Sequence, residues 1–199
     1  MSLKGFFVTI LVFFSLVTLP LAAAAATAKA TVETEVGKIL DHLKDPAFKE
    51  LAKEEQVDKI RAIINTVFNY TELSRRTLGR DWKKFSGEQQ EEFKQLFGRL
   101  LESSYADRVL AYTSQEIEFG KEIELRKNKV EVESAIITTD NKNIPIHYRM
   151  VLISDKWQVY DVVIEGISLV QNYRSQFREI LSKDSPEVLL EKLRNKVQK

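Results

Sequence analysis

Few residues of this chain carry the chemistry that enzymes use. There are two histidines, His42 and His147, and no cysteine. Thiolate nucleophiles, Cys-ligated zinc, iron–sulfur clusters and disulfides are therefore excluded by inventory, and histidine-rich metal sites nearly so. His147 stands in Pro145-Ile146-His147-Tyr148 with no partner motif, and reads as a packed or edge histidine. Asp161, between Tyr160 and Val162, is the one acid in an otherwise apolar run. It reads as an acceptor for a Tyr, Arg or backbone donor in preference to a general base. The seven glycines are too scattered to cradle a phosphate or a dinucleotide, and neither G-x-S-x-G nor H-E-x-x-H occurs. Arg75 and Arg76 with Arg80 form the densest positive cluster, which reads as solvated surface or as a contact for a phosphate or an acidic partner. Asp161 with His147 is the only acid–base pair that can be named, and the two fall on different strands. The sequence therefore predicts no enzyme, no metal and no cofactor.

Composition points the same way. The chain has 199 residues, with 30 Lys and Arg against 29 Asp and Glu, so there is no bulk electrostatic case for nucleic acid. Hydrophobic residues at 44% and charged ones at 30% describe a folded protein with a wet surface. Lys4, the apolar stretch Phe6 to Leu19, Pro20 and the small-residue tract Ala22 to Ala26 have the layout of an export signal. The rival reading is an uncleaved anchor, since the stretch approaches the roughly 20 residues that span a bilayer; Pro20 and the alanines favour cleavage. A cleaved leader over residues 1–26 leaves residues 27–199 as one soluble domain outside the cytoplasm.

The elements that must position any site follow from periodicity. Val32, Val36, Ile39, Leu40 and Leu43 make a helical stripe. Asp45-Pro46 restarts a helix containing Phe48 and Leu51. Val57, Ile60, Ile63, Ile64, Val67 and Phe68 mark the next helix, and a short one with Tyr70, Leu73 and Leu78 ends at Gly79. Ser86-Gly87-Glu88-Gln89 fits a capping box opening a long helix to about Tyr112. The period then changes to two over 115–125, 129–139, 144–154 and 156–164, with short polar connections, which is an antiparallel meander that Gly166 ends. Helices resume over Leu169–Leu181 and after Ser185-Pro186. Helices followed by strands give an α+β fold with helices over one face of a curved sheet.

A sheet with one wet face alternates cleanly, and these strands do not. Ile144, Ile146, Tyr148, Met150 and Leu152 share a strand with Val151 and Ile153, while Tyr160, Val162 and Ile164 oppose Trp157, Val159 and Val163. Either helices cover both faces, or part of this apolar surface lines a pocket with aromatic walls. Periodicity does not separate the two.

Leu78-Gly79-Arg80-Asp81-Trp82, the face Phe93, Phe97, Leu101, Tyr105 and Tyr112, the run Trp157-Gln158-Val159-Tyr160-Asp161-Val162, and Glu165-Gly166-Ile167-Ser168-Leu169-Val170 together resemble the MlaC or toluene-tolerance family. These are periplasmic phospholipid carriers of an ABC transport system. The resemblance implies a nuclear-transport-factor-like cone holding lipid tails between sheet and helices, with phospholipid as cargo and no cofactor. It also implies two membrane partners: an outer-membrane lipoprotein–porin complex and an inner-membrane complex of MCE-domain ring, permease and ATPase. A monomer in the periplasm is expected. Apolar facing selects Phe97, Leu101, Tyr105, Tyr148, Met150, Tyr160, Val162 and Ile164 as cavity walls, with Arg149 and Arg80 as headgroup candidates. The alternative is a periplasmic adaptor or chaperone with a fully packed core.

Overall fold

The computed structural model describes residues 26–112 and 116–198. Apart from Ala26, the expected leader lies outside the described residues. Among the described residues no helix is long and apolar enough to cross a membrane.

The helices begin where capping chemistry satisfies their free N–H groups. In α1 (Ala28–Lys44) the Thr27 hydroxyl accepts from the Ala30 N–H at 3.1 Å. In α2 (Pro46–Lys49) Asp45 Oδ1 accepts from the Ala47 N–H at 2.9 Å and Pro46 fills the first position. This helix is a single turn, so Leu51 falls beyond it. After α3 (Lys53–Val67) and α4 (Tyr70–Leu78), Gly79 takes φ 58°, and a 3-10 helix over Gly79–Lys84 follows that the sequence reading lacked. The capping box of α5 (Gly87–Leu110) is formed both ways, Gln89 N–H to Ser86 Oγ at 3.2 Å and Ser86 N–H to Gln89 Oε1 at 3.0 Å.

Among the described residues five antiparallel strands follow in sequential order: β1 (Glu116–Arg126), β2 (Lys129–Ile137), β3 (Asn143–Ile153), β4 (Lys156–Ile164) and β5 (Ile167–Ser168). The fold class is α+β as expected. Gly166, however, does not end the meander. Glu165 and Gly166 both have positive φ (50° and 81°), as do Ser154 and Asp155 (48° and 59°). These are two-residue turns whose backbone twist matches paired strands, so the chain returns for one more short strand. Then α6 (Leu169–Leu181) starts from Ser168, and α7 (Pro186–Val197) closes the chain.

A bulge in β4 explains the doubly apolar strand. Arg149 pairs with Asp161 but Met150 pairs with Val159, so Tyr160 has no partner on β3. One extra residue reverses the side on which the following side chains stand. Trp157, Val159, Val162 and Ile164 consequently share the face of Met150, Tyr148 and Ile146, while Tyr160 and Asp161 point to the other side.

The apolar interior falls into two clusters. The larger joins α5, α6 and α7 to the sheet through Phe93, Phe97, Val132, Met150, Phe177 and Leu190. The smaller is built on Leu43, Phe48 and Ile60, with Ile39, Leu51, Ile64, Val109 and Tyr112 packed around them. It ties α1, α2 and α3 to the end of α5.

Candidate functional site

Members of both clusters line a cavity of about 260 Å³. Its floor is the sheet, through Ile146, Tyr148, Val159, Val162 and Ile164. Its walls are Val32, Val36 and Ile39 of α1, Ile60, Ile63 and Ile64 of α3, and Leu101, Tyr105 and Val109 of α5. The helical spacing of these residues turns one stripe of each helix to the same hollow. Charged residues enter the lining only at Glu35, Arg61, Glu102 and Arg108. All four keep solvent contact, which marks where the cavity meets water.

The rim is tied across helices. Arg61 of α3 donates from Nε to Glu102 Oε2 on α5 at 2.6 Å, and its Nη2 contacts Glu102 Oε1. The Thr66 hydroxyl donates to Glu35 Oε2 at 3.0 Å, joining α3 to α1. Hydrogen bonding to Glu102 raises the Arg61 pKa, so the guanidinium stays charged. Arg108 lies 5.8 Å from the Tyr105 ring centroid, a cation over an aromatic wall. On the floor, burial pushes the Tyr148 phenol up to about 12, so this wall is neutral. Beneath it the Ser134 hydroxyl donates to the Ile146 carbonyl at 2.6 Å. Charge therefore stops at the rim.

Of the residues selected by apolar facing, Leu101, Tyr105, Tyr148, Val162 and Ile164 line this cavity. Phe97, Met150 and Tyr160 do not. Phe97 is fully buried in the larger cluster, with ring centroids 5.1 Å from Tyr173 and 5.5 Å from Phe93 and Phe177. Met150 shares the inward face but lies farther along the sheet, fully buried. The bulge sends Tyr160 outward, where Arg76 stacks at 3.9 Å from its centroid.

Arg149 is also on the outer side. Its Nε donates to Glu131 Oε2 at 2.8 Å and its Nη1 to Asp161 Oδ2 at 3.2 Å. Arg80 is exposed on the 3-10 helix and is not part of the cavity lining. Asp161, 2% exposed, accepts from the Ser168 hydroxyl at 2.6 Å and the Val170 N–H at 3.0 Å. It serves as the acceptor that seats the start of α6 on the sheet. His147 meets Glu131 at 3.3 Å. Burial pushes the Glu131 carboxyl up, but its contacts with Arg149 and His147 outweigh this and hold it below the usual range.

The lining from α1 and α3 was visible in the sequence as helical stripes, but a stripe does not say whether it faces packed neighbours or a void. Among the described residues no group of three or more His, Cys, Asp or Glu is placed to hold a metal. What this arrangement can do is remove a linear apolar group from water while leaving a polar end at the rim.

A hollow α+β fold of this kind defines a binding protein for apolar or amphipathic ligands. The profile of the family described as MlaC protein matches residues 33–195, and the chain belongs to that family. It is 28% identical over 193 residues, 90% of each chain, to the intermembrane phospholipid transport system binding protein MlaC of Haemophilus influenzae. It is 24% identical to toluene tolerance protein ttg2D of Pseudomonas putida over 168 residues, 82% of this chain and 77% of that one. The solved phospholipid-binding protein of Ralstonia solanacearum, in complex with a phospholipid, has the same fold. Its TM-score is 0.79 at 24% identity, covering 87% of this chain and 98% of that one.

Proposed function

We propose that this protein is an exported phospholipid carrier that holds acyl chains in the cavity between β3, β4 and helices α1, α3 and α5. One observation carries the reading: an apolar hollow in a protein of this family, with charge confined to its rim. The phospholipid in the Ralstonia solanacearum protein and the transport system named for the Haemophilus influenzae relative support it. The protein moves lipid between an inner-membrane MCE-domain, permease and ATPase complex and an outer-membrane lipoprotein–porin complex. It works in the periplasm after losing residues 1–26.

The energetics demand such a container. Each methylene withdrawn from water is worth about 0.8 kcal/mol, so two tails of roughly 15 methylenes each represent on the order of 25 kcal/mol. Free lipid does not cross an aqueous gap against that cost. A carrier works only if its hollow is nearly as favourable as a bilayer, so that docking to a partner tips loading into release. The cavity of about 260 Å³ is smaller than the roughly 300–1,000 Å³ of pockets for drug-sized ligands. Loading of two tails therefore requires the cavity to widen.

The test is direct. Residues 27–199, purified without detergent and extracted for mass spectrometry, are expected to yield phospholipid near one per protein, and stripped protein to reload from vesicles. Protein that carries no phospholipid and takes none from vesicles would overturn the reading.

A further inference from the structure

The meander brings two of its turns to one end of the sheet, Lys127-Asn128 after β1 and Ser154-Asp155 after β3. The Leu152 N–H donates across to the Asn128 carbonyl at 3.0 Å, which joins the two tips. Four large aliphatic side chains stand exposed among the described residues. Three of them lie at this end: Ile123, Leu125 and Ile153, at 40%, 46% and 39% exposure. Ile123 pairs with Glu131, and Ile153 follows Arg149 and Val151 at period two, so both stand on the outer face of the sheet. Leu125 is the residue left over by the register shift between Glu124 and Arg126. That shift sets Arg126 opposite Lys129, on the outer face as well.

Cations surround these side chains. Arg126, Lys127, Lys129 and Lys156 occupy the two tips against one acid, Asp155. Among the described residues none of the four cations is held in an ion pair. The nearby carboxylates are engaged elsewhere. Glu72 holds both Arg75 and Arg76 of α4, at 2.9 and 2.8 Å. Farther along the face, Glu131 meets Arg149 and His147, and Asp161 meets Arg149. Glu124 pairs with Val130 and so stands on the helix side. Burial and the charges of Arg76, Arg126 and Arg75 push the Lys129 ammonium below its ordinary value, with Glu72 opposing. Positive charge is crowded at this end, and an incoming anion relieves the crowding.

We propose that this end of the sheet docks on an anionic lipid surface, with Ile123, Leu125 and Ile153 entering the headgroup layer and Arg126, Lys129 and Lys156 pairing with lipid phosphates. Protruding aliphatic side chains ringed by cations complement a layer of phosphate over acyl chains. None of these residues belongs to the cavity lining. The cavity floor uses the other half of the same strands, where Ile146 pairs with Ile164 and Tyr148 with Val162. Docking therefore leaves the cavity end of the sheet turned away from the lipid. The inference goes beyond the carrier reading and requires no lipid in the cavity.

The protein, expressed as the full chain and purified without detergent, is sedimented with vesicles of phosphatidylcholine alone or with about one-third phosphatidylglycerol, at low and high ionic strength. At low ionic strength it is expected to partition at least about tenfold more onto the anionic vesicles, since each cation at such a surface is worth about fivefold. High salt is expected to abolish the preference. The triple variant Arg126→Gln, Lys129→Gln, Lys156→Gln is expected to lose at least about tenfold in binding to the anionic vesicles. The double variant Ile123→Ser, Leu125→Ser is expected to lose a similar factor while keeping its salt dependence. Circular dichroism checks that both variants are folded. A parent that ignores both kinds of vesicle, or either folded variant binding as the parent does, overturns the proposal. Labelled polyglutamate is the second probe. If it binds through the same three cations while the vesicles do not bind, the face serves an acidic polypeptide and the proposal fails. Phospholipid extracted from the protein before mixing reads the carrier question separately: absent cargo with intact vesicle binding defeats the carrier reading and leaves the docking face standing.

Discussion

On one side of the cavity, Phe93, Phe97, Tyr173 and Phe177 interlock with ring centroids 5.1–5.6 Å apart, and Leu189 and Leu190 close behind them with 1% exposure or less. On the other side, α3 buries only Ile60 and Val67, its Val57 and Ile63 line the hollow half-buried, and Ile64 lines it while also packing on the smaller cluster. The same kinds of residue are used in both places. What differs is whether a second layer is present to receive them. Close-packed apolar side chains gain dispersion contacts on every side, whereas those facing a void forfeit them. The α5–α6–α7 side is thus packed throughout, whereas the α1–α3 side combines buried anchors such as Val32 and Val67 with side chains that face the hollow. A carrier needs both, because an opening seam is useful only if something rigid keeps the other wall in place.

Substitutions can break this contrast. Phe97→Ala, on the solid side, is expected to cost about 3–5 kcal/mol by removing a fully buried ring, read as a shift in the urea midpoint. Lipid retained per folded molecule should stay close to the parent's. If lipid retention fell while stability held, Phe97 would belong to the cavity after all. Ala106→Trp, on the hollow side, is expected to do the reverse. The indole fills space that is now empty, so stability should change by less than about 1 kcal/mol, while phospholipid retention drops at least about tenfold. A tryptophan that left loading intact would show that the tails lie elsewhere.

The smallest effect concerns the floor. Burial pushes the Tyr148 phenol up to about 12 from an ordinary value near 10, so the folded form resists ionising. The corresponding stability is complete below about pH 10 and is lost as pH rises through about 12. Burial raises Tyr70 and Tyr105 as well, so Tyr148→Phe is expected to remove only part of the alkaline loss. Urea titrations of parent and variant at about pH 9 and about pH 12 measure the difference. Identical losses in the two proteins would place the Tyr148 hydroxyl in contact with water.

Much of this architecture was legible in the sequence, because the signals were local. Ser86 and Gln89 announce a helix start by their own hydrogen-bonding reach, and Asp45-Pro46 does so by a fixed φ and a capping carboxylate. The meander followed from period-two runs with short polar turns. What was not legible depended on pairing. Period-two facing puts Tyr160 with Val162 and Ile164, and the bulge reverses that rule without a glycine to signal it. Arg149 is a headgroup candidate in the sequence. Its partners Glu131 and Asp161 stand on two other strands and meet it only once the register is known. Phe97 and Leu101 occupy one helical stripe, yet the first meets α6 and the second meets the hollow. No property of the stripe itself distinguishes them.

The central claim, that acyl chains occupy the seam between the two apolar clusters, is tested most directly by loading the protein with a phospholipid that carries a photoreactive diazirine in one acyl chain. After irradiation the adducts are mapped by peptide mass spectrometry. Adducts are expected at Ile64, Tyr105, Tyr148 and Val162, with Phe97, Met150 and Tyr160 unlabelled. Labelling concentrated on Tyr160 and the outer side of the sheet, or spread over the surface with the seam residues spared, would contradict the account.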